Sequence, residues 1–395
     1  MAINFPDAPT LNQVFQGYYW DGEKWMTQGS IAGAVRYDVA QGLSANQRSQ
    51  ARSNIGDLKK NYVINGAMMI SQENGTVGGS ISGYYPVDQW HTVNSSSGTV
   101  IAAQVSSPTA GGSPNRIRMT VNVADAALGA GDLVMFRQVL EGLRITDLRL
   151  GSAAAKTVTV QFGVKAPAGT YCVAILNGIP NRAYVTEYVV AAGEANTDVI
   201  KSVTIQLDTT GTWAADNTIG FYLGFTLMGG STYQTAANSW AGGNFWATSN
   251  QFNFMASTSN VFELFDVSLT EGNVAPPFMV PDYASELALC KRYFQFLEAG
   301  QVVGGPVASN SVYFGLSFSV KMRAAPTLSG PGGNSVIFLT AQNTEASSAN
   351  APSINVASTS GMEFQIAGFG GLTGGQVCFW RRTDTGTKIM FSARL

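Results

Sequence analysis

The chain has 395 residues, 45% of them hydrophobic, which is enough to build packed cores and excludes global disorder. Charged residues make up only 12%, the formal net charge is -2 and no long basic run occurs, so electrostatic capture of nucleic acid is not expected. Cys172, Cys290 and Cys378 are widely spaced with no CxxC pair, which argues against a zinc site or a disulfide framework and for small buried thiols.

Residues 1–30 form a small aromatic unit. Phe5, Phe15, Tyr18, Tyr19, Trp20 and Trp25 surround an Asp21-Gly22 turn, a hairpin signal. So short a piece buries little surface alone, and its rings are candidates either for its own core or for anchoring on a partner. The opening Met1-Ala2-Ile3-Asn4-Phe5-Pro6 lacks the basic and apolar regions of a secretory signal, and no stretch approaches the roughly 20 apolar residues of a membrane span. The expectation is assembly in a cytoplasm, without membrane insertion.

Residues 43–56 carry a short helical pattern. Ser44 is placed to cap it, Gln47 completes a capping box, and Gly56 stops it. From 61 to about 275, period-two alternation recurs, the mark of antiparallel strands with one buried and one wetter face. Ile117, Met119, Val121 and Val123 form one such set, and Val158, Val160, Phe162 and Val164 another. Val203, Ile205 and Leu207 follow, then Ile219, Phe221, Leu223, Phe225 and Leu227, with Gly220, Gly224 and Thr226 opposite. Val261, Phe265, Val267 and Leu269 close the series. Many short strands between polar turns predict a sandwich or jelly roll.

Pro276-Pro277 and Pro281 enforce an extended linker, after which Asp282 caps a helix with Leu287, Cys290 and Phe294 on one face. Beyond it, Val312, Phe314, Leu316, Phe318 and Val320 alternate as a strand of a second β domain. Segments 362–366, 376–380 and 388–393 are further strands, and 329–335 and 341–353 read as Gly/Ser-rich loops. The predicted fold class is mainly β: an N-terminal aromatic β module and short helix, then a jelly-roll β-sandwich, then a second C-terminal β-sandwich. The expected segments are 1–35, 36–60, 61–280 and 281–395.

Three local patterns resemble tailed-phage appendage proteins. INFPDAPTLNQVF and YYWDGEKW within residues 3–25 are similar to an aromatic attachment module near the start of phage structural proteins. GLSANQRSQARSNIG (42–56) resembles a helical linker of tail fibres. NYVINGAMMISQENGT (61–76), YYPVDQW (84–90), FRQVLEG (136–142), FELFDVSLTEGNVAPPF (262–278) and PDYASELALCKRYFQF (281–296) together resemble the distal jelly-roll domain of tail-fibre and receptor-binding proteins. VKMRAAPT (320–327) resembles the opening of a following β module. The resemblance implies a homo-oligomeric virion subunit, typically a trimer. It implies attachment to other phage structural proteins through Phe5, Phe15, Tyr18, Tyr19, Trp20 and Trp25, and host-surface polysaccharide as the ligand. It leaves open a purely architectural collar, neck or head fibre, and a glycan depolymerase.

No catalytic constellation is legible. The single histidine, His91, sits beside Trp90 and reads as structural. Glycan cleavage needs two carboxylates about 5 to 10 Å apart; Asp198, Asp208 and Asp216 are candidates, but fall where turns use Asp for backbone hydrogen bonds. No metal-binding loop and no cofactor motif occurs. The recognition candidate is 231–254, where Tyr233, Asn238, Trp240, Asn244, Phe245 and Trp246 combine flat rings with amides, the chemistry that stacks sugar C–H faces and satisfies hydroxyls. The same rings fit core or interface packing. Arg381, Arg382 and Asp384 mark a second loop candidate.

Overall fold

Two residues with positive φ, Gln16 (50°) and Gly17 (82°), make the first reversal of the chain. They turn β1 (Val14–Phe15) into β2 (Tyr18–Trp20) as a tight primed-type hairpin, a turn whose twist matches the strands. The predicted Asp21-Gly22 turn then leads to β3 (Trp25–Thr27). Asp21 Oδ1 accepts the N–H groups of Glu23 and Lys24, both at 2.8 Å, which fixes the loop and holds the Asp21 carboxyl below its usual pKa. Phe5 stacks on Trp25 with ring centres 5.1 Å apart and meets Tyr18 edge-on; Phe15 and Trp20 close around Trp25. Five of the six predicted anchoring rings thus pack on one another. None of residues 5–26 is fully buried, so this core stays thin.

The computed structural model describes residues 5–27, 60–297, 302–330, 335–339, 344–348, 350–370, 372, 377–382 and 388–395. The predicted 43–56 helix lies outside them. The chain divides into two compact units, Met1–Leu58 and Lys59–Leu395.

The second unit opens with a jelly roll. Its strands are β4 (Trp90–Ser95), β5 (Thr99–Ser106), β6 (Asn115–Val123), β7 (Leu133–Glu141), β8 (Thr157–Lys165), β9 (Gly169–Asn177) and β10 (Ala183–Val190). They continue as β11 (Val199–Gln206), β12 (Ile219–Gly229), β13 (Trp240–Ala241) and β14 (Val261–Glu271). A six-stranded sheet runs β13-β10-β9-β12-β7-β4, and a five-stranded sheet runs β11-β8-β14-β6-β5, with the chain repeatedly crossing between them. Phe162 lies at the centre of the core, edge-on to Tyr188 (4.8 Å) and Phe225 (4.9 Å), with Trp90 beyond Phe225.

The wetter face expected from the alternation exists on the five-stranded sheet, where Thr159 meets Thr204 and Thr157 donates to Gln206. It does not exist on the six-stranded sheet. There a second apolar cluster of Leu133, Met135, Cys172, Ala174, Leu176, Ala183, Val185 and Trp246 covers the outer face, so Gly224 and Thr226 are buried as well. Two other face expectations need correction. Val123 is 49% exposed, because β6 outruns the sandwich at its end. In β14 the core residues are Phe262 and Leu264, then Val267 and Leu269. A bulge at Asp266 (φ 49°) changes the parity, which sends Phe265 to the opposite face beneath the Arg116 guanidinium.

After β14, Asp282 caps the helix α1 (Tyr283–Lys291) by accepting the Ser285 N–H. Cys290 packs with Ile64, Ile70 and Tyr293. Phe294, expected on the helix face, instead starts a strand, β15 (Phe294–Leu297), because the helix ends at Lys291. The C-terminal part adds β16 (Val303–Ala308), β17 (Ser311–Ser317), β18 (Thr327–Ser329), β19 (Ser335–Leu339), β20 (Thr344–Ser348), β21 (Ser353–Ala357), β22 (Gly361–Ala367), β23 (Cys378–Arg382) and β24 (Ile389–Ser392). These build a three-stranded sheet β15-β24-β18 and a seven-stranded sheet β20-β19-β23-β16-β17-β22-β21. Segment 341–353, expected as loop, contains β20: the polar run TEASS pairs with β19 at the sheet edge, where few apolar side chains are required. Phe318 and Val320, expected in the same strand as Val312, lie beyond the end of β17.

Glu141, at the end of β7, ties the jelly roll to the C-terminal part. It accepts from Arg292 Nε (2.8 Å) and Nη2 (2.5 Å) and from the Tyr293 hydroxyl (2.7 Å). Burial would raise its pKa, but Arg292 and Tyr293 outweigh burial and hold it below the ordinary carboxylate range. Glu141→Ala is expected to cost about 3 kcal/mol, the low end for breaking a buried pair, because Arg292 keeps some water. Urea unfolding checks this; Glu141→Gln, which keeps an acceptor, should lose visibly less.

Candidate functional site

The covered face of the six-stranded sheet owes its shape to small residues. Across the strands, His91, Arg137, Gly224, Ala174 and Val185 are successive neighbours on one row. A Cβ on Gly224 would come within 2.7 Å of the Trp246 ring, so the absence of a side chain lets that indole lie against the sheet. The segment carrying Trp246 folds back on itself. Trp246 N donates to Tyr233 O, and its carbonyl accepts from the Thr226 hydroxyl at 2.7 Å. β13 joins the segment to the sheet by pairing with β10.

Between this segment and the sheet lies a cleft of about 210 Å³. Leu133, Met135 and Val93 form its apolar floor; Tyr222, Tyr233, Trp246, Asn244 and Arg137 supply rings and polar groups. Trp246 Nε1 donates to Asn244 Oδ1 at 2.7 Å, which leaves the Asn244 side-chain N–H groups pointing elsewhere. The Arg137 guanidinium stands 4.6 Å from the Tyr222 ring and 5.7 Å from Trp246, and its Nε–H donates to His91 Nε2 at 3.1 Å. Accepting that bond requires a neutral imidazole. Burial first, then the positive charges of Arg137 and Arg394, pulls His91 down to about 3.

Three of the six recognition residues read from the sequence, Tyr233, Asn244 and Trp246, meet at the cleft, and Phe245 packs against the apolar cluster beneath it. Trp240 does not join them. It packs at a tilt on Tyr184 (5.3 Å) and edge-on to Trp213 (5.5 Å), and its Nε1 donates to Gln206 O. Asn238, with φ 63°, holds a turn: its N–H donates to Val185 O, and its Oδ1 accepts from Thr186. Sequence reasoning missed Arg137 and Tyr222. The legible signal was the one cation in LVMFRQVLE, a strand that is apolar through its first four residues.

The carboxylates considered for glycan cleavage are occupied structurally. Asp198 takes both terminal nitrogens of Arg116, at 2.8 and 3.0 Å, and Asp208 pairs two-pronged with Arg182. Asp216 accepts the Thr218 N–H and hydroxyl. All three are held below the ordinary carboxylate pKa, Asp198 and Asp216 first by these hydrogen bonds, Asp208 by its partners against the opposing effect of burial. Among the described residues no group of three or more His, Cys, Asp or Glu could hold a metal. The three cysteines are buried free thiols. Arg381 and Arg382 lie in β23, and Asp384 lies outside the described residues.

A larger crevice of about 970 Å³ lies where helix α1 and the C-terminal sheets meet the jelly roll. Several of its polar groups, Gln72, Gln295, Ser319 and Lys388, are already engaged. Gln72 Nε2 bonds Asp88 and Phe294 O, Gln295 bonds Val320 O and Ser319, and Lys388 Nζ donates to Gln72 O. Those bonds hold the junction together rather than face a ligand.

No protein-family model matches this sequence, and no curated protein is similar to it. Some solved structures are weakly similar to part of the chain. One is the enzymatically active domain of tailspike protein 4 of bacteriophage CBA120, at 11% identity and TM-score 0.28, covering 54% of this chain but only 21% of that one. Another is the family 11 carbohydrate-binding module of the cellulosomal cellulase Lic26A-Cel5E of Clostridium thermocellum, at 13% identity and TM-score 0.25, covering 50% of this chain and 96% of that one. A third is the CBM22-1 xylan-binding domain of Paenibacillus barcinonensis Xyn10C, at 10% identity and TM-score 0.25, covering 51% and 99%.

Proposed function

We propose that this chain is a non-enzymatic subunit of a tailed-phage virion appendage whose jelly roll binds host-surface glycan. The observation that carries the binding role is the outer-face cleft, where Tyr222, Tyr233 and Trp246 surround Arg137 and Asn244. The half-buried Tyr222 and Tyr233 offer ring faces to sugar C–H groups, the Trp246 indole backs the cleft, and the amide and guanidinium offer donors to hydroxyls. The appendage role is supported by the order of the phage-like motifs along the sequence. It is supported too by the thin aromatic core of residues 5–26, with Leu11 66% and Val14 55% exposed, a surface that gains from docking on other virion proteins or on copies of itself. A homotrimer would multiply weak sugar contacts by avidity. The engaged state of Asp198, Asp208 and Asp216 supports binding without cleavage.

The test is to incubate the purified chain with host capsule or lipopolysaccharide, measuring retention and new reducing ends together. Retention without new reducing ends is the expected result. New reducing ends would make the chain a depolymerase, and loss of infectivity with normal adsorption in a deletion mutant would make it purely architectural.

A further inference from the structure

Arg137 is the one half-buried arginine of the jelly roll whose terminal amino groups meet no acceptor among the described residues. Arg116 is engaged by Asp198 and Glu263, Arg182 by Asp208, and Arg144 by the carbonyls of Asn61 and Tyr62. Arg137 gives only its Nε–H, to a histidine that burial keeps neutral, and forms no ion pair with any described residue. Its flanks are the Tyr222 and Trp246 rings, which attract a cation but do not neutralise it. A half-buried cation without a counter-charge, lining an open cleft, is a site completed by an anion from outside.

We propose that the cleft over Arg137 binds the carboxylate of an acidic sugar unit within a polysaccharide. The proposal rests on the glycan-binding reading of the same cleft and names its ligand class. The two oxygens of a carboxylate match the planar guanidinium fork. Arg137 is the only charged residue lining the cleft, so the charge balance is met by a monoanion; a dianionic phosphate would leave excess charge in a largely apolar space. The Trp246 bond to Oδ1 fixes the orientation of the Asn244 amide, and its side-chain nitrogen can donate to a carboxylate oxygen or a neighbouring hydroxyl. The volume of about 210 Å³ is smaller than the roughly 300–1,000 Å³ of drug-sized pockets. It admits one sugar-sized unit and leaves the rest of the polymer outside.

The experiment is calorimetric titration of the full chain with trimers of galacturonic, mannuronic and glucuronic acid, each beside its carboxyl-reduced neutral counterpart, and with a sulfated galactose trimer. At least one acidic trimer should bind at least ~10-fold more tightly than its reduced form. Arg137→Gln should erase that preference, weakening the acidic trimer's binding more than the reduced trimer's, and Arg137→Lys should keep only part of it. Should Arg137→Gln fail to fold by thermal unfolding, Arg137→Lys and Asn244→Ala decide. Equal affinity for acidic and reduced trimers overturns the carboxylate site and leaves glycan binding standing. So does a preference that survives undiminished in Arg137→Gln. A sulfated trimer as tight as the best acid would make this a general anion site and overturn the carboxylate assignment. No binding of any trimer, together with no retention on host polysaccharide, overturns both readings.

Discussion

Replacing Trp246 with alanine is expected to abolish glycan binding and to cost about 3–5 kcal/mol of stability, the range for removing a buried large aromatic. The indole is 2% exposed, forms one wall of the cleft, and fills the space that Gly224 leaves open. Removing it also strands Asn244 Oδ1 and takes a ring from beside the Arg137 guanidinium. Trp246→Phe keeps most of the volume but loses the Nε1–H, so it should recover most of the stability and only part of the binding. Urea unfolding and titration with host polysaccharide separate the two effects. Full binding by a folded Trp246→Ala protein would remove the cleft from the account.

His91→Gln is expected to stabilise the protein in acid by about 3 kcal/mol at pH 4.5 relative to the unmodified chain, with little change above pH 7. In the folded state His91 titrates near 3 against an ordinary 6.5, because burial and then the charges of Arg137 and Arg394 disfavour its cation. Between those pH values the unfolded chain binds the extra proton, so stability is complete above about 6.5 and is lost as pH falls. At ~1.4 kcal/mol per pH unit, the ceiling is about 5 kcal/mol. Asp88 acts in the opposite sense. Burial first raises it from 3.8 to about 6, so the folded state holds its proton more readily, and stability rises as pH falls through 6. The two slopes largely cancel in the unmodified chain, and the variant exposes the histidine component. A glutamine can still accept the Arg137 Nε–H, so local geometry persists. Identical pH profiles for variant and parent would show that His91 is not held neutral by burial.

The strands were readable because sandwich cores select side chains by parity. Val158 to Val164 and Phe221 to Leu227 follow it without a break, and the Asp282-capped helix follows its end signals. Parity failed where the backbone changed it locally, as at the Asp266 bulge, which depends on a positive φ that no apolar pattern encodes. It also failed where a distant segment covered the outer face. The sequence shows Gly224 opposite the core residues, but not that Trp246, 22 positions later, lies over it. The candidate site was therefore half legible. Ring-and-amide chemistry drew attention to Tyr233, Asn244 and Trp246, while Arg137 and Tyr222 come from strands that pair only in three dimensions. Trp240 shows the converse: its composition suited recognition, but its indole N–H is satisfied by a backbone carbonyl on the neighbouring sheet.

Everything above turns on whether sugar lies against the covered face of the six-stranded sheet. Hydrogen-exchange footprinting of the full chain, with and without host-surface polysaccharide, asks this directly. The account predicts slowed exchange over β7, β12 and residues 231–250. Protection confined to the crevice around Phe296, Phe318 and Lys388, or no protection at all under conditions where the chain is retained on the polysaccharide, would contradict it.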